Sequence, residues 1–179
     1  MSRRTCIAVA VFALLGIAYF VGKAWVRAHV DELIQHSVGK PLPTFTLVDQ
    51  AGEPWSHDRL RGKRAVLHFF RSRCHSCDEE AAAIRELEAN LPADVQMLHV
   101  MTDALLKFPP AETAATVASK GFARPLAMAD VAFADAFHKS KWSQVTPITY
   151  VVDAQGVVRF GLRGAQTRAA IEQALVAAR

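Results

Sequence analysis

The sequence is poor in cysteine, with 3 in 179 residues, too few for a small fold stapled by disulfides. Its 9 glycines and 8 prolines form no repeat or low-complexity tract, which excludes collagen-like and disordered chains. It also lacks any run of lysine or arginine. The formal charge of +4 resides in Arg3, Arg4, Lys23 and Arg27; of the 21 basic residues, the remaining 17 balance the 17 acidic ones. A nucleic-acid binder needs a basic face to displace counterions, so no nucleic acid is expected as a partner. No acid precedes Asp31, and no charge interrupts the stretch from Cys6 to Val21.

With Thr5 and Gly22 the uncharged stretch reaches 18 residues, about 27 Å as a helix, which spans a hydrocarbon core. Arg3 and Arg4 before it make the positive start of an export signal. Gly22-Lys23-Ala24 offers small residues for a cleaved signal peptide, but the apolar run exceeds the usual core of about 7 to 15 residues. A retained anchor is favoured. The run is apolar all round, which does not suit an amphipathic soluble helix. The expected organisation is a transmembrane anchor over 1–25, a polar linker over 26–40 and one domain over 41–179. A single pass through the cytoplasmic membrane, N-terminus inside, would put that domain on the periplasmic side. Cys6 reads as a small apolar membrane residue, and Trp25 as an interfacial one.

Within the domain, alternation over Thr44 to Val48 predicts a strand closed by a turn at Asp49-Gln50-Ala51-Gly52. Ala65 to Phe70 is a short continuous apolar run, as in a strand covered on both faces. From Cys74 to about Asn90, Ala83, Ile84, Leu87 and Leu91 recur at helical spacing, with Asp78, Glu79 and Glu80 where a helix start favours acids. Val95 to Met101 predicts a strand, and Ala111 to Lys120 and Val131 to His138 predict helices. Ile148 to Val152 and Val157 to Phe160 flank a turn at Asp153 to Gly156 and make a hairpin. Thr167 to Ala178 closes as a helix. The fold class is α/β, a mixed central sheet flanked by helices.

Cys74-His75-Ser76-Cys77 stands where strand gives way to helix. Half of a zinc site has the same spacing, but zinc needs four ligands and there is no second cysteine pair. At a helix N-terminus, free N–H groups and the dipole favour thiolate, the nucleophilic form. Arg71, Arg73 and protonated His75 add positive charge nearby and are expected to lower the Cys74 pKa further. Cys77, one turn in, is expected to be the less exposed thiol, which resolves a mixed disulfide at Cys74. The bland alternative is an inert structural disulfide.

The sequence resembles membrane-anchored thioredoxin-like proteins of the TlpA and ResA kind, close to the cytochrome c maturation thioredoxins. The likeness covers nearly all of 39–179. It rests on Phe45-Thr46-Leu47-Val48-Asp49 with Gly52, on Leu60-Arg61-Gly62-Lys63, on the apolar strand ending in Cys74-His75-Ser76-Cys77-Asp78-Glu79-Glu80, and on Thr146-Pro147-Ile148-Thr149 with Asp153 and Gly156. The resemblance implies a thioredoxin fold with Pro147 in cis facing the cysteines, and Thr146 docking an extended substrate backbone. It implies thiol-disulfide exchange without a cofactor or metal, reducing disulfides of exported partners such as apocytochromes. The electrons would come from a membrane donor protein. Two departures stand out. Arg73 replaces the usual Trp before the first cysteine, and Phe70 another. His68 lies where cytoplasmic thioredoxins carry a buried acid, so it is either a base for Cys77 or a satisfied core histidine.

Met97, His99 and Met101 alternate on one strand face, which raises copper(I) ligation and a copper-binding thioredoxin-like metallochaperone as the rival function. Relatives of that kind space their cysteines by three residues, and the plain reading is core packing. A peroxidase would want Thr three residues before its cysteine, where this chain has Arg71. Glu79, Glu80, Glu86 and Glu88 read as a solvated helix face, and Trp55 and Trp142 as packing under loops.

Overall fold

A computed structural model describes residues 3–137 and 143–178 of the chain. They divide into two units, Met1–Leu33 and Ile34–Arg179. Helix α1 (Arg3–Gln35) supplies the first. Val11–Gln35 is long and apolar enough to cross a membrane, and none of its apolar window is buried. Phe12, Leu14, Leu15, Ile17 and Phe20 are each more than 60% exposed, as on a helix facing lipid. The residues read as a polar linker stay helical as far as Gln35, because Val26 to Gln35 contains no helix breaker. Expectations for Trp142, for His138 as a helix end and for the Cys6 side chain lie outside the described residues.

The second unit is built on a five-stranded sheet in the order β5-β4-β3-β6-β7. Its strands are β3 (Arg64–Phe70), β4 (Val95–Met101), β5 (Leu126–Met128), β6 (Ile148–Val152) and β7 (Val158–Arg163). β3 runs parallel to β4, and β4 to β5, while β6 pairs antiparallel with both β3 and β7. This is the mixed sheet that the hairpin over Ile148 to Phe160 called for. A separate two-stranded ribbon joins β1 (Thr46–Val48) and β2 (Pro54–Ser56). Trp55 packs within this ribbon, 2% exposed, its indole N–H donating to Asp49. It therefore sits on a strand and not under a loop.

All seven residues of β3 are buried, so both its faces are covered. Strand alternation sends Val66, His68 and Phe70 one way and Leu67 and Phe69 the other. On the first side, Val66, Met97 and Val151 pack with Ile84 and Leu87 of α3 (His75–Asn90) and with Ile171 and Leu175 of α7 (Arg168–Ala177). On the other, Phe69 meets Tyr150 and also Phe133 and Phe137 of α6 (Val131–Phe137) in edge and stacked contacts. Burying each of these apolar side chains contributes about 1.5–3 kcal/mol. Gly161 has a positional reason on β7: a Cβ there would lie 2.6 Å from Ile34.

The short helices α2 (His57–Leu60) and α4 (Asp103–Leu106) span barely one turn each, and neither shows a helical period in sequence. The helix α5 (Pro110–Lys120) begins one residue earlier than expected, with Pro110 in its first turn, where the missing N–H costs nothing.

Candidate active site

Cys74 is the N-cap of α3, its sulfur accepting a hydrogen bond from the Cys77 N–H at 3.2 Å. Cys74 and Cys77 are joined as a disulfide. Both are buried, at 6% and 1% exposure, so Cys74 is the more accessible sulfur. Thr146 approaches from the β6 side: its hydroxyl donates to the Cys74 sulfur at 3.4 Å, and its carbonyl oxygen lies 3.6 Å from it. The Thr146–Pro147 bond is cis. Residues 72 positions apart in sequence thus meet at one point, the positive tip of a helix, where a sulfur that becomes anionic is stabilised.

The loop carrying Cys74 is held from below by Asp103. This carboxylate is 1% exposed and accepts from the Ser72 N–H at 2.8 Å, the Ser72 hydroxyl at 2.6 Å and the Thr113 hydroxyl at 2.8 Å. Arg71 donates to the carbonyls of Ser72, Arg73 and Gln144. It ties the loop to the Gln144 segment, and it stands where a peroxidase would need a hydroxyl. Sequence reading missed Asp103, which no motif marks.

Arg73 and His75 face outward. Arg73 makes a two-pronged pair with Glu112 at 2.6 Å per bond and lies over the Phe108 ring at 5.0 Å. Donating these hydrogen bonds to Glu112 raises the Arg73 pKa, and accepting them lowers the Glu112 pKa. Much of the charge expected to act on Cys74 is therefore shared with Glu112. His75, 88% exposed at its side chain, pairs with Glu79 at 3.2 Å. Beyond Arg73, Phe108, Pro110, Val117 and Met128 line an apolar groove of about 560 Å³, and Val117 and Met128 also pack against the cysteine cluster.

Two of the four acids read as a solvated helix face are instead buried: Glu80 at 1% and Glu88 at 5% exposure. They lie on the inward stripe of α3 together with Cys77, Ala81, Ile84 and Leu87, because residues three and four apart share a face. Buried carboxylates require partners, and histidines supply them. Glu80 Oε2 lies 3.2 Å from His68 Nε2, His68 Nδ1 3.0 Å from His99 Nδ1, and His99 Nε2 2.8 Å from Glu88 Oε1. The His–His contact follows from register, since His68 and His99 are direct neighbours on β3 and β4.

His68 is thus a fully partnered buried histidine. Its partner Glu80 lies on the cysteines' helix, one turn beyond Cys77 on the same face of α3. Burial lowers the His99 pKa to about 4, against a hydrogen bond donated to Glu88 that raises it. Burial alone would raise the Glu88 pKa, but hydrogen bonds from His99 and the backbone N–H groups of Arg124 and Ala123 bring it below the usual range. With both ring nitrogens engaged, His99 is not free to join Met97 and Met101 in a copper(I) site. Those methionines pack in two different apolar clusters. Among the described residues, no group of three or more His, Cys, Asp or Glu is arranged to hold a metal.

A family model described as the AhpC/TSA family matches residues 38–160. A Coxiella burnetii protein described as a peroxiredoxin is 34% identical over 70 residues, which are 38% of this chain and 46% of that protein. The match thus spans less than half of that relative's length. Among solved structures, a thiol:disulfide interchange protein of the thioredoxin family from Chlorobium tepidum aligns with TM-score 0.64 and 20% identity, covering 78% of this chain and 96% of the other. A DsbF homologue from Corynebacterium diphtheriae aligns with TM-score 0.64 and 15% identity over 76% and 85% of the two chains. StoA from Bacillus subtilis aligns with TM-score 0.61 and 16% identity over 76% and 98%. At these identities the likeness concerns the fold, which is thioredoxin-like.

Proposed function

This chain belongs to the AhpC/TSA family, and from that premise we propose that it is a thiol-disulfide oxidoreductase acting on protein disulfides. The observation that carries the reading is the Cys74 sulfur at the N-terminus of α3, 3.6 Å from the Thr146 carbonyl. In the reducing direction, the Cys74 thiolate attacks one sulfur of a partner disulfide. A mixed disulfide forms and the partner's second sulfur leaves as thiolate. Cys77 then attacks Cys74, which restores the internal disulfide and frees the partner's first sulfur. Two electrons pass to the partner, and no cofactor takes part.

The backbone around Thr146 and Pro147 would pair with the partner's extended segment, and the apolar groove beside Arg73 would take an adjoining apolar side chain. This groove stands in for the flat aromatic rim that Arg73 and Phe70 leave out. The helix Val11–Gln35 would anchor the chain in the cytoplasmic membrane with residues 41–179 outside. Partners would then be exported proteins, such as apocytochromes whose haem-attachment cysteines must be reduced, and the electrons would come from a membrane donor protein. The committed His99 ring speaks against a copper chaperone, and Arg71 against a peroxidase.

Thiol trapping in growing cells tests the direction. A reductase keeps Cys74 and Cys77 mostly as thiols, and a pair found mostly as disulfide overturns that direction in favour of an oxidase.

A further inference from the structure

Four buried ionisable groups behind the cysteines form one unbroken chain, and counting hydrogen-bond donors along it fixes where protons reside. Counting starts at Glu88. Its Oε1 accepts the N–H of Arg124 at 2.8 Å and that of Ala123 at 3.1 Å, and Oε2 is also 3.1 Å from the Ala123 nitrogen. An oxygen receiving two N–H bonds has no room to donate a proton of its own. His99 Nε2, 2.8 Å away, must therefore be the donor. A neutral imidazole with its proton on Nε2 has Nδ1 as an acceptor, and burial keeps His99 neutral near pH 7. The atom facing that Nδ1 at 3.0 Å is His68 Nδ1, so the proton lies on His68 Nδ1.

His68 Nε2 then faces Glu80 Oε2 at 3.2 Å, while Glu80 Oε1 already accepts the Gln166 N–H at 3.0 Å. Two lone pairs in contact repel, so one proton is shared between these atoms. It resides either on a Glu80 carboxyl beside neutral His68 or on imidazolium beside carboxylate.

We infer that Glu88, acting through His99, locks His68 in the tautomer protonated on Nδ1, so that in the disulfide form the Glu80–His68 pair holds a single proton for Cys77. This rests on the exchange chemistry proposed above. When a donor dithiol attacks Cys74, the electrons of the S–S bond leave with the Cys77 sulfur. That sulfur takes the proton from the pair, which becomes carboxylate and neutral imidazole. When Cys77 later attacks the mixed disulfide at Cys74, it returns the proton.

Glu80, itself 1% exposed, borders a groove of about 640 Å³ rimmed by Glu79, Glu86, Arg168 and Glu172, the charged groups that face it from α3 and α7. At the other end, Arg124 also donates from its guanidinium to the Glu88 carbonyl. His99 and Glu88 are positioning residues, because neither reaches the cysteines.

The test uses the full chain, ¹⁵N-labelled in its histidines, in detergent micelles. Ring-nitrogen NMR of the disulfide form near pH 7 is expected to find the His99 proton on Nε2 and a proton on His68 Nδ1. A His99 proton on Nδ1, or on both nitrogens, overturns the lock. Two variants separate a proton role from a packing role. Glu88→Gln keeps an acceptor oxygen and is expected to preserve both tautomers, with insulin disulfide reduction within about threefold of wild type. Glu88→Met removes the acceptor. It is expected to move the protons to His99 Nδ1 and His68 Nε2, slow exchange at least about tenfold at neutral pH and displace its pH profile. A Met variant with moved protons and an unchanged profile overturns the role of the lock. Should that variant not fold, the wild-type spectrum still decides. A wild-type chain that exchanges no protein disulfide defeats the proposed function instead, whatever its ring nitrogens show.

Discussion

Two sets of ionisable groups flank the Cys74–Cys77 pair, one in water and one in the core, and they differ in what they can do. Outside, Arg73 pairs with Glu112 and His75 with Glu79, at side chains 65%, 29%, 88% and 56% exposed. Water and salt screen such pairs, so they contribute little. Inside, Glu80, His68, His99 and Glu88 are all 5% exposed or less. There each proton has few places to go, and adding or removing one changes the energy of the whole chain. Charges near a reactive sulfur in sequence are thus a poor guide to which groups govern it. Burial and partner geometry decide.

The sharpest way to break this comparison is to remove the sulfur it concerns. Cys74→Ser is expected to abolish reduction of insulin disulfides, by at least about a thousandfold, in a turbidity assay. Retained activity would leave both sets of charges without a reaction to serve.

Next in size is the interior acid. Glu80→Gln is expected to slow exchange at neutral pH about a hundredfold and flatten its pH dependence, read by stopped-flow kinetics with circular dichroism to check the fold. An unchanged pH profile would equate the inner set with the outer one.

A third effect is on stability. The unfolded chain protonates His99 near the ordinary 6.5, whereas the folded chain does so only at about 4. Between those values the unfolded state binds more protons, so stability is fully present above pH 6.5 and declines as the pH falls toward 4, by about 3 kcal/mol in total. The lowered pKa of Glu88 extends the decline in the same direction at lower pH. Denaturant titrations of the full chain in micelles at pH 7 and pH 5 measure it, and His99→Gln should shrink the difference.

The smallest effect belongs to the outer set. Arg73→Ala is expected to change the exchange rate less than about threefold, because Glu112 already compensates that cation. A tenfold loss would mean that the outward pairs matter as much as the buried ones.

Much of this site is legible in the sequence because its signals are local. The apolar run Ala65 to Phe70, the Cys74–Cys77 spacing at a strand-to-helix step and the Thr146-Pro147 step each need only a few neighbouring residues to be recognised. The buried chain needs long-range information. Glu80 and Glu88 look like ordinary surface acids until the helix phase is set by Cys77, Ala81, Ile84 and Leu87, which places both on the inward stripe. His99 looks like a candidate metal ligand between two methionines until the β3–β4 register sets it opposite His68. The short strands β2 and β5 and the one-turn helices α2 and α4 escape for a similar reason, since their pairing or packing and not their local pattern holds them.

The claim on which the rest depends is that Cys74 is the sulfur that joins to a partner protein. The direct measurement offers the full chain carrying Cys77→Ser and Cys6→Ala to a protein disulfide and reads the products by mass spectrometry. A covalent adduct through Cys74, released by dithiothreitol, is the expected result. No adduct, or the same yield when Cys74 is also replaced by serine, would contradict it.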